Sequence, residues 1–124
     1  MLGGFTPKGI SKEVDVWDSE SSTWSRIAPL PRGLHHTTAS VVDGKLYVIG
    51  GFDSGTWRPS NVNYEYDPQV HRWTVKTPMP TARGGHAAGV VDGKIHLVGG
   101  RTVYCSIWSI PLPMKFTILK RIAG

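Results

Sequence analysis

Five histidines and one cysteine are the side chains best suited to metal or nucleophilic chemistry in this chain. His35 and His36 are adjacent, and His86 lies in a corresponding turn further along, so convergent imidazoles there would suit zinc or copper. No Cys/His or His-Glu-x-x-His spacing accompanies them, and neither a metal nor any other cofactor is expected. Cys105 stands in no nucleophile signature, there is no Gly-x-Ser-x-Gly elbow, and Gly84-Gly85-His86-Ala87-Ala88-Gly89 leads into a strand pattern where a phosphate cradle needs a helix. Asp18, Asp43, Asp67 and Asp92 recur periodically, which reads as turn chemistry more simply than as acid/base pairing. No catalytic residue is assigned. The candidates that remain could bind a partner: Arg32, His35, His36, Arg83 and His86 in two related turns, with Trp57 and Arg58 beside Asp53 in a long connection. Aromatic and Arg side chains of this kind are enriched at interfaces.

The elements that must position these residues are legible as hairpins. Val41-Val42-Asp43-Gly44-Lys45-Leu46-Tyr47-Val48-Ile49-Gly50-Gly51 returns 49 residues later as Val90-Val91-Asp92-Gly93-Lys94-Ile95-His96-Leu97-Val98-Gly99-Gly100. Asp-Gly between two apolar runs signals a tight hairpin, because both positions must tolerate positive φ. The repeat extends further at the same offset, Trp24 to Trp73, Pro29 to Pro78 and Pro31 to Pro80, so one unit recurs along about 100 residues of the chain. The central copy predicts four strands over 37–42, 45–50, 62–66 and 72–76, with Asp67-Pro68 opening the last turn. In Leu46-Tyr47-Val48-Ile49 neither alternate set is polar, the pattern of a strand covered on both faces. Stacked four-stranded antiparallel sheets covering one another give an all-β radial architecture.

Composition supports this and excludes other classes. Fifteen Gly, nine Pro and five Trp in 124 residues favour short strands, turns and packing between sheets. Residues 1 to 100 carry ten basic and nine acidic side chains, so most of the formal +5 comes from Arg101, Lys115, Lys120 and Arg121. That distribution argues for a basic tail and against a nucleic-acid surface. No run of 18 apolar residues occurs and the N-terminus lacks the form of a signal peptide, so no membrane segment is expected and the chain as written reads as cytoplasmic.

Gly50-Gly51, Tyr66, Trp73 seven residues later, Pro78-Met79-Pro80-Thr81-Ala82-Arg83 and the Asp-Gly hairpin together resemble a kelch repeat protein, a β-propeller of four-stranded blades. On that resemblance Gly50, Gly51, Gly99, Gly100, Tyr66, Trp73 and Trp24 are structural motif residues, the rings filling the wedge between blades. The divisions expected are a partial first blade of outer strands at 1–28, a complete repeat at 29–78, the inner strands of a further repeat at 79–101 and a degenerate tail at 102–124. The resemblance implies a non-catalytic protein-interaction module. Its turns into the innermost strand line one face of the ring, where an Arg engages acidic partners; Arg83 matches that position, while the earlier copy has Leu34 there and Arg32 nearby. The alternative is a sugar-acting kelch enzyme like galactose oxidase or sialic-acid mutarotase. The first would imply copper and a Tyr-Cys cofactor, and the adjacency of Tyr104 and Cys105 departs from that arrangement. Incomplete terminal blades imply uncovered apolar faces and self-association.

Overall fold

A computed structural model describes residues 1–53 and 55–103; Tyr104, Cys105 and the rest of the proposed tail lie outside the described residues. Among the described residues all regular structure is antiparallel sheet. The strands are β1 (Phe5–Thr6), β2 (Gly9–Ile10), β3 (Val14–Asp18), β4 (Thr23–Ile27), β5 (Thr38–Val42), β6 (Lys45–Ile49), β7 (Asn63–Asp67), β8 (Arg72–Val75), β9 (Ala87–Val91) and β10 (Lys94–Val98). The order β5-β6-β7-β8 forms one four-stranded sheet, flanked by the pairs β3-β4 and β9-β10. Each strand of the central sheet lies within one residue of its sequence-based bounds. The short hairpin β1-β2 was not foreseen, because two-residue strands carry no periodicity. No helix of the described residues is long and apolar enough to cross a membrane.

Turn chemistry fixes the register. Asp43 and Gly44 adopt φ of +49° and +73°, and Asp92 and Gly93 adopt +49° and +67°, the double positive φ of a two-residue hairpin. Asp67 Oδ1 accepts from the Gln69 N–H at 2.9 Å, and Asp18 does the same from Glu20, so both carboxylates act as turn residues.

Strand β6 is covered on both faces, as its unbroken apolar sequence requires. Pairing Leu46 with Tyr66 and Val48 with Tyr64 puts these four on one face, where Leu46, Val48 and Tyr64 pack with Val14, Leu30 and Leu34 from the first sheet and the segment after it. Ile49 faces the other way, onto Met79, Ile95 and Leu97, with Tyr47 beside it. Trp73 joins the first cluster, 5.1 Å from the Tyr66 ring, and its indole N–H donates to the Ala28 carbonyl at 2.8 Å. The diglycines carry the sheets onto one another: Gly51 N donates to the Arg83 carbonyl, and Gly4 N to the carbonyl of Leu34. These are the same contact one repeat apart.

Candidate functional site

The connections β4–β5, β6–β7 and β8–β9, with the β1-β2 hairpin and the residues after β10, meet at one rim. At its centre is a cluster of rings. His35 is 2% exposed, with its ring centroid 4.2 Å from Phe5, 5.4 Å from Phe52 and 5.2 Å from Trp57. His36 is exposed, 4.6 Å from Trp57, and its Nδ1 lies 2.9 Å from Nδ1 of His35. Trp57 is half-buried in this stack.

Asp53 organises the charged part. Its oxygens accept from Arg32 Nη1 at 2.7 Å and Arg58 Nε at 2.6 Å, while both arginine side chains stay more than half exposed. Burial pushes the Asp53 carboxyl up, but Arg58 and Arg32 outweigh it and hold the group below its ordinary value. The fixed carboxylate therefore aims two guanidiniums outward beside Trp57. A third comes from Arg101, which lies 5.0 Å above the Trp57 ring and 5.7 Å above Phe52. Arg101, whose charge the sequence analysis counted toward a basic C-terminal excess, stands on this folded rim.

Phe5, Phe52 and Arg101 went unassigned in the sequence, although a signal was present. Each follows a diglycine, Gly3-Gly4, Gly50-Gly51 or Gly99-Gly100, and so occupies one repeat position on three successive sheets.

Arg83 and His86 depart from expectation. Arg83 is 2% exposed, and its Nη1 donates to the Gly99 carbonyl at 2.6 Å. It occupies the repeat position of Leu34, which is fully buried in the neighbouring cluster, so the backbone delivers whatever side chain stands there into the interior. The guanidinium is not offered at the mouth to an acidic partner. His86 is 7% exposed and its Nε2 is 3.0 Å from Thr38 Oγ1, so it does not converge with the His35–His36 pair on one metal position.

Burial first, and Arg83 second, lower the pKa of His86 from its ordinary 6.5. The folded state therefore favours neutral imidazole, while the unfolded chain takes up the proton as pH falls below 6.5. Stability is retained above that value and lost in the window beneath it. Urea midpoints measured at about pH 7.5 and 5.5 are expected to fall for the native chain and to fall less for His86→Gln; equal slopes would dismiss His86 as the cause.

The kelch motif model matches residues 33–80. Kelch-like protein terF of Aspergillus terreus is 36% identical over 76 residues, covering 55% of this chain and 17% of that protein. An F-box/kelch-repeat protein of Arabidopsis thaliana, At5g03020, is 33% identical over 74 residues, covering 57% of this chain and 21% of the relative. Kelch-like protein 21 of Danio rerio is 38% identical over 58 residues, covering 47% and 9% respectively. This chain thus spans about a fifth or less of the length of these curated relatives. The solved structure of YjhT superposes with a TM-score of 0.64 at 23% identity, over 80% of this chain and 33% of that one, which establishes likeness of fold. Residues 33–80 match the kelch motif, and the stacked sheets have the fold of part of a kelch-type β-propeller.

Proposed function

We propose that the chain is a non-catalytic protein-interaction module that recognises an acidic segment of its partner through the rim of Arg32, His36, Trp57, Arg58 and Arg101. The observation that carries this reading is the Asp53 clamp: one buried carboxylate holds two exposed arginines beside a stacked Trp, with a third guanidinium over the same ring. Three cations against one carboxylate leave the patch net positive, and a ring already held in a stack loses little entropy on binding. Arg83 and His86 serve the interior and stand outside this surface. Residues 1–28, 29–78 and 79–101 are read as successive units of the module, and its uncovered end faces as surfaces for further blades or for a second copy.

The test is fluorescence anisotropy with a labelled Asp/Glu-rich peptide. Trp57→Ala is expected to weaken binding about 30-fold, the ~2 kcal/mol of an interface anchor. Arg72→Ala, on β8 away from the rim, should leave it unchanged. Equal losses from both variants, or no binding by the native chain at low salt, would overturn the reading.

A further inference from the structure

We propose that the third sheet of one copy of this chain and the first sheet of a second copy join edge to edge into one four-stranded blade, in the order β9-β10-β3-β4. The repeat supplies the template, because β9 and β10 lie 49 residues after β5 and β6, and β3 and β4 lie 49 residues before β7 and β8. The two end sheets are therefore the inner and outer halves of the central one. Among the described residues β10 pairs only with β9, while β3 pairs with β4 and, at Val14 and Asp15 alone, with Leu2 and Met1. Open strand edges of this kind are templates for a further strand. Carrying the β6–β7 register over to the new junction sets Ile95 opposite Trp17 and Leu97 opposite Asp15. Met1 and Leu2 give way there to the longer strand β10.

A buried charge selects this partner. Arg83 is 2% exposed, and its Nε has no hydrogen-bond partner among the described residues. All nine acidic side chains of the chain lie among those residues, and none forms an ion pair with it. A guanidinium so enclosed gains strongly from a carboxylate. Its repeat counterpart Leu34 packs in one cluster with Val14 and Tyr64. The counterparts of Leu34 and Val14 one repeat on are Arg83 and Asn63, each with an unpartnered buried atom, and the counterpart of Tyr64 one repeat back is Asp15. Joining the half-sheets therefore brings Asp15 of one copy to Arg83 and Asn63 of the other. Asp15 already accepts from Arg26 Nε at 2.8 Å, and an ionised carboxylate has acceptor sites for both guanidiniums. The same step brings Trp24, 61% exposed, to Lys76 and the Thr77 carbonyl. Those are the counterparts of Ile27, which shares a cluster with Trp73, and of the Ala28 carbonyl, to which Trp73 donates.

The inference rests on the reading of the uncovered end faces given above and not on the acidic-partner rim. Light scattering of the full chain tests it through two charge reversals. Asp15→Lys and Arg83→Glu each set like charges together at the junction, and each is expected to weaken association about 30-fold or more, the low end of what breaking a buried interfacial charge pair costs. An equimolar mixture of the two should regain it, because every junction between alternating copies then joins opposite charges. Hydrogen exchange on the native chain keeps the test open if Arg83→Glu does not fold. The amides of β10 and of Val16–Asp18 are expected to gain protection together as the protein is concentrated. Association in both variants as strong as in the native chain, a mixture of folded variants no stronger than its components, or protection that misses these two edges would overturn the proposal and leave self-association itself standing. A native chain that stays monomeric would remove both.

Discussion

Gly50→Ala is expected to destabilise the chain by about 3–5 kcal/mol, the sum of a non-glycine residue held at positive φ and overpacking against backbone. Gly50 has φ +64°, and a Cβ there would lie 2.6 Å from the Arg83 carbonyl oxygen, 2.7 Å from His86 Cε1 and 2.8 Å from Met79 Cε. The two side-chain atoms can move, but the carbonyl accepts the Gly51 hydrogen bond that ties the central sheet to the next turn. Against a typical total of ~5–15 kcal/mol, such a loss leaves much of the protein unfolded. Gly44→Ala is the control, since φ there is +73° with no atom within 4 Å of the added carbon. It should cost only about 1 kcal/mol, the conformational part. Urea unfolding of the three proteins at one concentration measures both effects; equal midpoints for the two variants would show that close packing at Gly50 carries none of the energy.

The second large effect concerns the first sheet. Trp17 and Trp24 occupy the repeat positions of Tyr66 and Trp73 and keep their stacking, with centroids 5.4 Å apart. Tyr66 is 4% exposed, whereas Trp17 and Trp24 are 46% and 61% exposed. The difference lies in what covers them: Trp73 packs in one cluster with Ile27 of the first sheet and donates to the Ala28 carbonyl just after it, and among the described residues nothing occupies the corresponding place before Trp17 and Trp24. Each ring buried would contribute roughly 1.5–3 kcal/mol, enough to drive association in the micromolar range. The isolated 124-residue chain is therefore expected to self-associate. Trp17→Ser combined with Trp24→Arg should shift it toward monomer while preserving the sheets. Size exclusion with light scattering decides the matter. A monodisperse 13.6 kDa species with a cooperative melt in the native protein would sink the expectation.

The sequence by itself determined the strands, their hairpins and their stacking. Asp-Gly pairs, alternation and a 49-residue repeat are local or periodic signals, and each has one economical backbone solution. The fate of individual polar side chains was another matter. Arg83 looked like a surface cation, yet the turn that brings Leu34 into the core at the preceding repeat carries Arg83 inward in the same way. Phe5, Phe52 and Arg101, separated by dozens of residues, reach one rim only because three sheets stack in register. The His35–His36 contact and the Asp53 clamp likewise depend on side-chain directions that residue identity and spacing leave open. Burial and rotamer are properties of the assembled neighbours, so only the tertiary structure could decide which charges face solvent and which are held inside.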